Sequence, residues 1–300
     1  MWFTVKDKAI PIADLVLTDN LATYHNTISF TTVTKIYASE GVIETDFSKK
    51  FEVCITSQTR MQGDKMKVDC VTKKVHDAFN STTAGYTGRT TVDGLFAKLG
   101  FNYSSNFQSN NTYFSIPQGM VTSLFDNLTK YASFANGGGA HFYMAYDGTV
   151  HGFDYKLIKE KYKAAILDCS ILSEQIRTDW CDYTPSEFDI FYWDNNNKFK
   201  TETLTLEKGF GKAVVHINDT TGVWRDAAKQ ELTNTFYNKW FSGHTITVST
   251  TLGIFPPLGT LVRFRESPMT YIVKAVSNAY NELQEVPTTT VILISEPTFV

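Results

Sequence analysis

Asp147, His151 and Asp154 fall within eight residues, close enough for an imidazole and two carboxylates to hold a metal or move a proton. They lie on a hairpin, however, where period-two alternation sends His151 and Asp154 to opposite faces and the turn claims Asp147, so no site is expected there. Glu187 and Asp189 share one strand face and could form the acid and base of a glycoside hydrolase, although a solvated strand face accounts for them more simply. Gly209-Phe210-Gly211-Lys212 invites comparison with a phosphate loop, but that pattern wants a glycine where this chain has Leu206 and a hydroxyl where it has Ala213. Cys54, Cys70, Cys169 and Cys181 contain no Cys-x-x-Cys pair, so they are expected as reduced, mostly buried thiols without zinc. His76, His141, His216 and His244 stand isolated in the sequence and read as structural. Trp180, Tyr183, Tyr192 and Trp193 could stack on sugars or anchor a protein interface, with core packing as the first expectation. There is no Gly-x-Ser-x-Gly elbow and no His-Glu-x-x-His pair. The chain is therefore expected to carry no catalytic, cofactor-binding or metal-binding residue.

The elements that would position such residues follow from composition and pattern. The chain has 300 residues, enough for about two domains, and 42% of them are hydrophobic and 20% charged, as in an ordinary globular protein. Its 28 basic and 31 acidic residues give a net charge of −3, which lacks the clustered positive charge that nucleic-acid binding needs. With 22 Phe, 15 Tyr and 5 Trp, residues that suit a pleated, half-buried surface abound, and strands should outnumber helices. No apolar run approaches the roughly 18 residues of a membrane span, and residues 1–7 do not read as a secretory signal, so folding in a cytosol without membrane insertion is expected.

Residues 1–75 read as short strands, for instance Thr27-Ile28-Ser29-Phe30-Thr31 and Lys67-Val68-Asp69-Cys70-Val71, forming an N-terminal β-barrel or sandwich. Residues 76–160 read as an α/β module. Within it, Thr91 precedes the helical stripe Val92, Leu95, Phe96 and Leu99, and Gly100 stands where a left-handed cap belongs. A second helix carries Met120, Leu124, Leu128, Tyr131 and Ala132 and ends before Gly137-Gly138-Gly139. Asp147-Gly148 then predicts a two-residue hairpin pairing Tyr146 with Thr149, Met144 with His151 and Phe142 with Phe153. Residues 161–300 return to strands around a third helix over 226–240, with Ala228, Leu232, Phe236 and Trp240 on its apolar face.

The order of these pieces resembles the central module of phage tail hub proteins: Ile116-Pro117-Gln118 leading into an amphipathic helix (124–132), glycine-rich text, Phe142-Tyr143, Asp147-Gly148 and a closing Phe153. That family includes baseplate hubs of contractile phages, late-control D proteins and the hub part of type VI secretion spikes. Pro257-Leu258-Gly259-Thr260-Leu261-Val262, followed by Tyr271-Ile272-Val273 and Thr290-Val291-Ile292-Leu293, is similar to its last barrel. The resemblance spans about 76–295; the triple glycine lengthens the usual connection, and no appended spike or lysozyme domain fits.

What the resemblance implies is a β-rich α+β fold with two tail-tube-like β-barrel domains and an α/β module between them. It further implies a homotrimer forming a pseudo-sixfold ring, which joins the hexameric tail tube to a central spike or tip among other baseplate proteins. Such a protein would be a non-enzymatic part of the virion, assembled in the host cytoplasm, with no cofactor and with DNA passing through its lumen unbound. The rival expectations are a tail-tip receptor-binding protein that uses its aromatics on host glycans, and a cell-wall hydrolase.

Overall fold

Alternation at period two dictates the first third of the chain. The computed structural model describes residues 1–45, 50–167, 170–176, 185–207, 211–218, 222–250, 255–265, 267–281 and 287–297. Seven strands come first: β1 (Trp2–Val5), β2 (Lys8–Pro11), β3 (Ala13–Asn20), β4 (Thr27–Thr32), β5 (Glu40–Glu44), β6 (Lys50–Arg60) and β7 (Met66–Thr72). In β4 the pattern is strict: Ile28, Phe30 and Thr32 are buried while Thr27, Ser29 and Thr31 are half-exposed. Helix α1 (Lys73–Asn80) begins directly after β7, three residues earlier than the change of period at His76 suggests.

The middle of the chain builds β8 (Thr82–Thr83), β9 (Tyr86–Thr90), α2 (Val92–Leu99), β10 (Tyr103–Ser105), β11 (Thr112–Ile116), β12 (Gly119–Met120), α3 (Val121–Tyr131), β13 (Ala140–Met144), β14 (Val150–Asp154) and α4 (Tyr155–Lys161). Both predicted caps of α2 are present. The Thr91 hydroxyl accepts from the Gly94 N–H at 3.1 Å, and Gly100 takes φ +80°. The expected hairpin is corrected by one residue. Ala145 N–H donates to the Thr149 carbonyl, Met144 opposes Val150 and Phe142 opposes Gly152. Tyr146-Asp147-Gly148 is thus a three-residue loop closed by Gly148 at φ +84°, rather than a two-residue turn. A shift of one exchanges faces: Val150, Gly152 and Asp154 turn inward, while His151 and Phe153 go to the other side.

The last part contributes β15 (Ala165–Leu167), β16 (Ser170–Ile176), β17 (Glu187–Trp193), β18 (Phe199–Thr205), β19 (Lys212–Ile217), α5 (Val223–Trp240), β20 (His244–Thr250), β21 (Leu261–Phe264), β22 (Tyr271–Tyr280) and β23 (Thr288–Ser295). Helix α5 starts three residues before the predicted 226. Its buried stripe is Ala227, Asn234, Phe236, Tyr237 and Trp240, with Ala228 and Leu232 only half-buried.

The two strand-rich flanks share one curled, 13-stranded sheet in the order β16-β20-β23-β22-β3-β4-β7-β6-β5-β1-β2, with β21 and β15 branching from β22. The bridge between them is antiparallel β3–β22, from Leu15 opposite Tyr280 to Asn20 opposite Ala275. Register shifts in the β3–β4, β6–β7, β16–β20 and β22–β23 pairs add local twist that helps a wide sheet to curl. Among the described residues, buried apolar side chains fall into three clusters. One lies inside the N-terminal strands (Phe3, Leu15, Ile28, Phe30), one inside the C-terminal strands (Ile246, Val248, Val273, Leu293), and the largest fills the module (Phe96, Phe125, Leu128, Phe142). The module core also takes in Phe236, Tyr237 and Trp240 of α5, so that helix belongs to it by packing although it lies far along the chain.

Candidate functional site

A buried polar network sits where α5 meets the module. Asn234 is 1% exposed, and its amide is fully used. Nδ2 donates to the carbonyls of Lys130 and Ala132, both at 2.9 Å, while Oδ1 accepts from the N–H groups of Gly139 (3.2 Å) and Ala140 (3.4 Å). One side chain therefore satisfies the end of α3, the glycine loop and the start of β13. The triple glycine has a steric cause at the same place. A Cβ at Gly137 would meet Asp154 Oδ2 at 2.4 Å, one at Gly138 would meet the Tyr237 ring at 2.2 Å, and Gly139 has φ +82°. Asp154 caps α4, accepting from Leu157 N–H and Gly138 N–H, each at 3.0 Å. Its other oxygen is buried without a protein partner, and burial, only partly offset by those two donors, raises the carboxyl to about 6.

A second polar joint fastens the module to the sheet bridge. Tyr143 of β13 donates its phenol hydrogen to Asp19 of β3. The Tyr146 phenol lies near the same carboxylate, and Tyr280 of β22 lies near Tyr146. Burial first, then the Asp19 charge, pushes the Tyr143 and Tyr146 hydroxyls far up, so both stay neutral. This cluster touches the N-terminal strands, the module hairpin and the C-terminal strands together.

The residues singled out from sequence do not converge on a catalytic centre. Asp147 is exposed and accepts from Thr149 N–H at 2.9 Å, a bond that lowers its pKa. Asp154 points into the interior, and His151 lines a cavity of about 300 Å³ with Phe153, Tyr162 and Leu258. His141 is pressed on the Tyr155 ring at 4.6 Å. Burial, with the Lys274 charge adding, pushes its imidazole down to about 3, which leaves it neutral and unable to shuttle protons near pH 7. His216 stacks on Phe191 at 5.2 Å, and His244 is buried against Tyr271. Asp189 is held by the Lys212 ammonium at 2.8 Å and the Thr203 hydroxyl at 2.9 Å, which lower its pKa, the opposite of what a general acid needs. Lys212, the lysine of the phosphate-loop comparison, is occupied by that pair. Cys54 and Cys70 are free and buried, as expected of structural thiols. Gly209, Phe210, Trp180, Tyr183, Cys169 and Cys181 lie outside the described residues.

Tyr192 lies under the Arg225 guanidinium at 4.9 Å, whereas its neighbour Trp193 faces out. The outward face of the small β18-β17-β19 sheet carries Phe191, Trp193, Phe199 and His216 in mutual ring contact, beside an exposed Val214. From the sequence Trp193 stands out as a stacking or anchoring residue and His216 as structural, whereas Phe191 and Phe199 do not stand out. The signal was available, because β17 and β18 pair in register and Trp193 lies directly opposite Phe199.

No family model and no curated relative matches the sequence. Solved structures do match in fold. A 43 kDa tail protein of prophage MuSo2 from Shewanella oneidensis superposes with a TM-score of 0.63 at 10% identity, covering 98% of this chain and 97% of that one. The prophage tail protein gp18 from Listeria monocytogenes EGD-e gives 0.58 at 11% identity, over 95% and 89%. Both likenesses take in the N-terminal strands, the module and the C-terminal strands together. The chain has the fold of phage tail proteins.

Proposed function

We propose that this protein is a structural hub of a phage tail or baseplate: a homotrimer whose two barrel-like halves per chain make a pseudo-sixfold ring between the hexameric tail tube and a central spike or tip. The observation that carries the reading is the end-to-end likeness to a phage tail protein, which leaves almost no part of either chain unmatched. Three core clusters support a division near 1–75, 76–160 and 161–300, with α5 packed on the module. A curled sheet that ends at β2 and β16 suits ring closure, because an open strand edge is satisfied when a neighbouring copy covers it. The role is architectural: it needs no cofactor and no catalytic group, and the protein resides in the virion after assembly in the host cytoplasm. The small net charge suits a lumen that lets DNA pass without holding it.

Light scattering on the purified chain tests this reading. A particle near three times 33.8 kDa is expected. A monomer at every concentration, with tail-tube protein also present, overturns it. The exposed Trp193 and Phe199, with the half-buried Phe191, would then count as a surface for host glycans, to be followed by glycan-binding assays.

A further inference from the structure

The cysteine spacing gives no reason to expect a metal, but the fold brings three unlike donors together where β6 meets α1. Among the described residues, the Cys54 sulfur, a His76 ring nitrogen and an Asp77 carboxylate oxygen all lie within 4.8 Å of one another. His76 Nδ1 and Asp77 Oδ1 are already 3.3 Å apart. Ligand atoms about 2.0–2.3 Å from a tetrahedral zinc stand roughly 3.5 Å from each other, so only small side-chain rotations would close the set. Cys54 is anchored on a strand inside the sheet and is 2% exposed, while His76 is half-buried and Asp77 exposed on the helix. Glu40 lies directly across the β5–β6 ladder from Cys54. It holds the Lys73 ammonium at 2.6 Å, so a carboxylate balances that cation beside the sulfur.

We propose that Cys54, His76 and Asp77 form a site for a borderline-soft divalent ion of the zinc class, with water or a donor from another chain as fourth ligand. The chemistry selects the ion. A thiolate disfavours magnesium and calcium, and one sulfur, one imidazole and one carboxylate match zinc or its spectroscopic substitute cobalt. Binding transfers the thiol proton to solvent and leaves a metal–thiolate bond, so no oxidant or reductant is involved. The ion would staple α1, the first helix after the N-terminal strands, to β6.

Cobalt(II) is the probe. Titration of the reduced, full-length chain should give one equivalent of tightly held metal, visible-region bands of tetrahedral intensity and a near-ultraviolet thiolate-to-cobalt band, all removed by one equivalent of zinc. The near-ultraviolet band should survive in a chain keeping only Cys54 (Cys70→Ala, Cys169→Ser, Cys181→Ser) and vanish in Cys54→Ser. His76→Ala, at a half-exposed position, should weaken binding at least tenfold. Absence of the band at a tenfold molar excess of cobalt overturns the proposal. So does a band that persists in Cys54→Ser, or affinity unchanged in His76→Ala.

Discussion

Asp154 shows how one carboxylate can make stability depend on pH. Its folded pKa of about 6 lies above the ordinary 3.8, so between roughly pH 4 and pH 6 the folded chain keeps a proton that the unfolded chain has released. Stability from this group is therefore greatest at low pH and falls as pH rises through that window, by at most about 3 kcal/mol for a shift of this size. Other carboxylates titrate in the same range, so the difference between wild type and Asp154→Asn is the quantity to follow in urea. That difference should drop by about 1–3 kcal/mol from pH 4.5 to 7.5, and parallel curves would refute the assignment. Asn234 makes the complementary case. Truncation to Ala strands two carbonyls and two N–H groups in a dry place and should cost roughly 3 kcal/mol or more. A loss under about 1 kcal/mol would mean that water replaces the amide.

At the scale of elements, the glycine loop and α5 behave as one joint. Gly138→Ala forces a methyl into the Tyr237 ring and should destabilise by about 1–3 kcal/mol. Gly119→Ala, in open space at an ordinary φ, should be nearly neutral, and equal melting temperatures for the two variants would contradict the steric account. Tyr143→Phe should loosen the module from the sheet by uncoupling it from Asp19, seen as faster amide exchange along β13 and β14 with global stability lowered by about 1–2 kcal/mol. What the sequence made legible at this scale was local. Thr91 and Gly100 announce α2 because capping is a contact within a few residues, and the apolar stripe announces α3 for the same reason. The hairpin register was missed by one because Asp-Gly serves both two- and three-residue loops. Asn234 was illegible because a polar side chain on an amphipathic helix reads as surface until its distant partners are known. The glycines read as a turn, while their cause, Tyr237 and Asp154, is fixed only by tertiary packing.

At the scale of the whole molecule, the least legible feature is the sheet that unites the flanks. Its bridge pairs Leu15 with Tyr280, residues that no periodicity connects, and the two strand-rich segments therefore looked separable. The sequential order of the pieces still pointed to the tail-protein fold, which the chain shares with a tail protein at only 10% identity. The proposed assembly repeats a curled sheet with two strand edges around a threefold axis. Rotational analysis of electron images of the purified particle tests it most directly. A ring with threefold symmetry, six lobes and an open lumen is expected. Compact particles without a lumen, or rings of any order that three does not divide, would contradict it.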